Sequence, residues 1–228
     1  MKIRSLGSRT THLRGLLFLA ILLVAAFPSP AQRVGSFVSG TTRAANSRVL
    51  QILLGPDMTD ATEAARALGV RSDPYVGDIL AGLFSRMSGS ESYRYGLLFR
   101  EVIEYVLLLP SPSPTKIAAN AGELSQILLQ LQSIEDAATK AALLRTTPYL
   151  PEAASQKPLL DEGLFIEGYL KRHGGGLDPG RLDEALSFID GCAAHSNTVL
   201  RAEVVRAVEL ARNTEFVRAA RGYLARSE

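Results

Sequence analysis

Between residues 47 and 225 the aliphatic side chains return every three or four positions, in runs closed by Gly or Pro, and no stretch alternates apolar with polar residues long enough to make a strand. That pattern confines the chain to helices packing on helices through short connections. Residues 60–87 show it best. Asp60 is placed to cap a first helix with Glu63 closing the capping box, and Ala64, Ala65, Ala67 and Leu68 supply a small apolar face. Gly69 suits a left-handed helix end, and Asp73-Pro74 offers an N-cap followed by a preset first turn. Val76, Ile79, Leu80, Leu83 and Phe84 then recur at helical spacing. An antiparallel helix pair is expected, with faces too small to enclose a core without neighbours.

The same punctuation runs along the chain. Val49, Leu50, Ile52, Leu53 and Leu54 form a short helical run ended by Gly55-Pro56. Residues 93–109 are the most apolar segment after the leader. Arg100, Glu101 and Glu104 share one side there, while Leu97, Leu98, Phe99, Val102, Ile103, Val106 and Leu107 fill the rest, which predicts a central core helix. Arg100 and Glu104 are spaced as an i,i+4 pair. Prolines 110, 112 and 114 make a stiff connection, and Ser113 with Pro114 starts a helix expected to reach about Gln132. Its inward residues are Ile117, Ala121, Leu124, Leu128 and Leu131, with Asn120, Glu123, Gln126 and Gln130 facing away. Further helices are expected over 134–145, 156–173, 179–195, 199–211 and 214–225. Three glycines at 174–176 read as a C-cap and loop, because neither a preceding strand nor a P-loop lysine accompanies them.

The first 31 residues read as a signal peptide. Lys2, Arg4, Arg9 and Arg14 form a basic start, 16–27 an apolar stretch, and Ser29-Pro30-Ala31 a small-x-small cleavage pattern. The stretch falls short of the roughly 20 residues a spanning helix needs, although an uncleaved anchor would be conceivable with its flanks recruited. Residues 32–46 are small and polar and read as a flexible mature N-terminus, leaving 47–228 as a single all-helical domain. Removing four leader cations from a formal charge of +2 leaves the mature chain near −2. A broad basic surface for nucleic acid is therefore not expected. Export points to a periplasmic or extracellular location with no membrane span after cleavage. The sole cysteine, Cys192, excludes an intramolecular disulfide and is expected to be buried, since Ile189 and Ala193 share its helical face.

Residues 61–84, ATEAARALGVRSDPYVGDILAGLF, resemble a HEAT-type helical repeat: a small, leucine-bearing first helix, an Asp-Pro turn and a second helix with spaced aliphatics. Residues 199–224 echo it with Asn213-Thr214 at the turn, and 134–170 with Thr147-Pro148. The resemblance implies a degenerate right-handed α-solenoid of antiparallel helix pairs presenting an elongated or concave binding face. It implies no catalytic residues. The Pro-rich and Gly-rich loops interrupt regular spacing, so an irregular helical bundle is the alternative.

Chemistry-bearing residues are sparse. The mature chain has two histidines, His173 and His195, each at an expected helix end where a cation is favoured. Asp190, Cys192 and His195 lie close in sequence, yet further ligands would have to come from elsewhere, so neither a metal nor another cofactor is expected. The carboxylate pairs Asp161/Glu162 and Asp183/Glu184 are neighbours in sequence and do not face each other on a helix. Arg201, Arg206, Arg212, Arg218 and Arg221 make the C-terminal portion locally basic, and together with Tyr223 they are the expected binding residues. The resulting expectation is a noncatalytic interaction or scaffold module with a protein partner, an anionic surface being a second option. The alternative is a small envelope hydrolase acting on glycan or peptide, with Glu101 or Glu104 in a helical groove.

Overall fold

The computed structural model describes residues 40–88, 91–195 and 197–226. The chain divides into two units, 1–37 and 38–228, and every described residue belongs to the second. The expected leader and residues 32–39 lie outside the described residues. Among those described, every regular element is helical: α1 Gly40–Leu53, α2 Met58–Leu68, α3 Gly77–Phe84, α4 Ser92–Val102, α5 Pro114–Ala119, α6 Ala121–Leu128, α7 Ala137–Leu144, α8 Glu152–Arg172, α9 Pro179–Ala194, α10 Thr198–Leu210 and α11 Thr214–Arg226. A π-helical stretch, Ile103–Leu108, prolongs α4, and short 3₁₀ turns lie at Leu131–Ser133 and Thr147–Tyr149.

Residues 40–46, expected as the end of a flexible segment, are instead helical. Partners distant in sequence draw them in. Asn46 is fully buried, its amide donates to the Tyr75 carbonyl at 3.2 Å, and its oxygen accepts from Arg71 at 2.8 Å. The Thr42 hydroxyl donates to Asp73 at 2.6 Å.

Over 60–87 both helices form, with corrected ends. Asp57, not Asp60, caps α2, its carboxylate accepting from the Thr59 N–H at 2.8 Å. Asp73 accepts from the Tyr75 N–H at 3.0 Å instead of opening a helix, and α3 begins at Gly77. Gly69 is right-handed, with φ of −63°. Its use is proximity: a Cβ there would lie 2.5 Å from the Tyr105 carbonyl oxygen. The main partners of α2 are α1 and α4, and those of α3 are α1, α4 and α6, rather than each other, so the pair expected at this place is bridged by its neighbours.

The expected core helix at 93–109 is observed as α4 and its π-helical continuation, with Leu98, Phe99, Val102, Ile103, Val106 and Leu107 buried. The helix expected from 114 to 132 is broken at Asn120. Asn120, expected to face solvent, is fully buried. It accepts from the Val76 N–H at 2.8 Å and donates to the Pro74 and Lys116 carbonyls at 2.9 and 2.8 Å. Breaking the helix there frees its amide to satisfy the loop that enters α3.

Local signals decide more of the second half. Asp178 caps α9, accepting from the Arg181 N–H at 2.9 Å, with Pro179 at the first position. Gly174 and Gly175 take φ of 60° and 84°, closing α8 as a left-handed C-cap; the Gly175 N–H donates to the Leu170 carbonyl at 2.8 Å. The Gly175 carbonyl in turn accepts from the Arg212 N–H at 2.8 Å, which ties the end of α8 to the α10–α11 turn. The closest packing skips one helix along the chain, α7 on α9 and α8 on α10. One apolar cluster runs from Leu53 on α1 to Tyr223 on α11.

Candidate functional site

The α10–α11 corner carries the expected binding residues. Asn213 accepts from the N–H groups of Glu215 and Phe216 at 3.0 and 3.1 Å and so starts α11. Thr214, Val217, Arg218 and Arg221 follow at helical spacing on one face. With Ala211 and Arg212 they line a shallow depression of about 490 Å³. Its three arginines are exposed, and none pairs with a carboxylate among the described residues. The dipole of α11, whose N-terminal end lies here, adds to the same positive field.

The other expected residues serve the fold. Arg201 donates to the Leu224 carbonyl at 2.8 Å and so holds α10 to α11. Arg206 bonds Glu203 and lies 3.7 Å from Glu167, pinning α10 to α8. Tyr223 is buried in the core. Helical spacing places a side chain on a face, and the neighbours of that face decide the rest.

A larger groove of about 630 Å³ lies beside α4, with Phe84, Met87, Tyr93, Leu97 and Ile134 among its walls. Glu135 and Asp136 also line it, but Asp136 is engaged, accepting from the Thr139 N–H and hydroxyl at 2.8 and 2.6 Å. Glu101 and Glu104, the acids expected for a hydrolase, line neither depression. They lie 4.0 Å from Arg66 and 3.9 Å from Arg100 respectively, the latter being the expected i,i+4 pair.

Cys192 is fully enclosed, and burial first, then Glu203, pushes its thiol well above the usual range, which disfavours a reactive thiolate. His195 is also buried, with Nε2 at 2.9 Å from the Thr147 carbonyl, and His173 stacks on Tyr169 with centroids 4.0 Å apart. Among the described residues no three His, Cys, Asp or Glu side chains converge as metal ligands.

One titratable cluster is not foreseen from the sequence. Lys140 on α7, Glu162 on α8 and Glu184 on α9 meet in the interior, each at most 2 % exposed at the side chain. The Lys140 ammonium donates to Gln132 at 3.0 Å and to Glu162 at 3.3 Å, and stands 3.9 Å from the centre of the Phe165 ring. Arg181 bonds Glu184 from the rim of the cluster. Burial, then the facing Glu184, push the Glu162 carboxyl up to about 8, against the opposing pull of Lys140 and Gln132. Each pair that is adjacent in sequence, Asp161/Glu162 and Asp183/Glu184, thus sends its second member inward. The available signal was Glu162 itself, spaced with Leu159, Ile166 and Leu170 on the apolar face of its helix.

Comparison with known proteins finds no match among family models, curated proteins or solved structures.

Proposed function

We propose that the chain is an exported, noncatalytic interaction module that holds an acidic segment of a protein partner against the first turns of α11. The observation that carries this reading is the trio Arg212, Arg218 and Arg221 around one depression, with Val217 and Ala211 between them and no carboxylate paired to the guanidinium groups among the described residues. Exposed arginines spaced this way suit bidentate contacts to carboxylates, with apolar contact between them. Skipped-helix packing of α7 on α9 and α8 on α10 supports the wider picture of stacked helix pairs presenting such a face. The hydrolase reading has thinner support, since Asp136 in the larger groove is taken up in starting α7.

The test uses the full-length chain and a fluorescein-labelled peptide of alternating Glu and Leu, read by anisotropy. Saturable binding that weakens with salt is expected, and a triple Arg212→Glu, Arg218→Glu, Arg221→Glu variant should lose at least about tenfold in affinity. Equal binding by wild type and variant overturns the proposal. Binding to phosphatidylserine vesicles without any to the peptide would move the target to an anionic surface.

A further inference from the structure

The junction of α7, α8 and α9 holds more carboxylate oxygen than it has donors to satisfy. Lys140 directs hydrogen bonds to Gln132 and to Glu162 Oε2; its 3.3 Å approach to Glu184 Oε1 is a charge contact without hydrogen-bond direction. Arg181 takes Glu184 Oε2. Oε1 of Glu162 and Oε1 of Glu184 are left enclosed and without a donor, in two carboxyl groups within hydrogen-bonding reach of each other. Ionised carboxylates only accept, so two in contact cannot satisfy one another. A single proton supplies the missing donor and removes a buried charge at the same time.

We propose that this junction is a proton-binding site: Glu162 and Glu184 share one proton in the folded domain, and its departure at raised pH loosens the contact of α7, α8 and α9. The other charges around it are already engaged. On α10, Glu203 packs against Gly163 and bonds Arg206 through Oε1, while its enclosed Oε2 has no donor. On α6, Glu123 accepts from Tyr75 at 2.8 Å. Arg145 and Asp183 pair across α7 and α9 at 2.5 Å, and Asp136 at the start of α7 lies 4.0 Å from Arg100. At the far end of α9, Asp190 faces Arg145 and, from α11, Arg226. On α8, Asp161 pairs with Lys157, and Glu167 with Lys171.

The sign of the linkage follows from burial. In the unfolded chain the Glu162 carboxyl ionises in the ordinary range, whereas in the folded domain burial and the facing Glu184 keep it protonated to higher pH. The stabilisation from this proton is complete below the unfolded range, falls as pH rises toward the folded value, and is gone above it.

Urea unfolding of the full-length chain between pH 5 and pH 8, wild type beside Glu162→Gln, tests the proposal. The amide introduced by that substitution can donate to Glu184 at every pH. The wild-type unfolding constant should therefore rise by about tenfold per pH unit relative to the variant, the signature of one proton. Parallel profiles overturn it. Infrared spectra of wild type carrying ¹³C-labelled glutamate give a second readout that does not require the variant to fold. A protonated carboxyl band is expected at pH 6.5 and should vanish by pH 9, and the glutamate label keeps Asp190, whose carboxyl burial also raises, out of the signal. No band at pH 6.5, or a band unchanged at pH 9, overturns the proposal.

Discussion

Asn120 and Lys140 do comparable work in the two halves of the domain. Each is a buried polar side chain that joins segments far apart in sequence, one by neutral hydrogen bonds and the other by charge. Asn120 meets only backbone atoms, so its contacts depend on geometry alone. Lys140 meets carboxyl groups, so what it stabilises depends on how many protons those groups hold. What Asn120 holds together is thereby insensitive to acidity, whereas the junction of α7, α8 and α9 is exposed to it.

The sharpest way to break this comparison is Lys140→Met, which leaves two carboxyl groups enclosed without their cation. A loss of about 3–5 kcal/mol is expected in urea unfolding at pH 8, shrinking at pH 5 as the carboxyls take up protons. The combined Lys140→Met, Glu162→Leu, Glu184→Leu variant should recover most of it, because the desolvation cost leaves together with the pair. Asn120→Leu is the matched test in the first half. It strands the Val76 N–H and should cost about 2–3 kcal/mol, equally at pH 5 and pH 8.

Two glycines sharpen the contrast further. Gly69→Ala drives a methyl to 2.5 Å from the Tyr105 carbonyl oxygen, and Gly191→Ala drives one to 2.4 Å from the Thr147 hydroxyl. Both should lower the thermal midpoint, within the roughly 1–3 kcal/mol of overpacking. Gly69→Ala should be the worse, because backbone cannot turn aside and a threonine rotamer can. The smallest effect is a gain: at Gly122 on α6 an added methyl would meet nothing within 4 Å, and Gly122→Ala should stabilise by about 0.5–1 kcal/mol at either pH.

The sequence is most legible where cause and effect lie within one turn of helix. Asp178 caps α9 because the N–H it accepts from belongs to Arg181, and Gly174 closes α8 because its backbone turns left-handed. Asp73 misleads for the opposite reason, since its carboxylate is also claimed by Thr42, 31 residues earlier. Asn120 reads as outward because its partner Val76 is 44 residues away. Among the binding residues, helical spacing aligns Arg218 with Arg221, but cannot reveal that Glu167 and Glu203 engage Arg206. The inward turn of Glu162 is written in the face it shares with Leu159 and Ile166, while the identity of its partners depends on how three helices meet.

Cys192, the chain's sole cysteine, lies sealed on α9, the same helix as Glu184. A thiol so placed meets no alkylating reagent until that helix lifts from its bed. The protein therefore carries its own clock, in which the pace of labelling counts excursions of α9. Corrected for the chemistry of a free thiol, a pace that quickens with alkalinity would time the departure of a proton from the carboxyl cluster about two turns back along the same helix.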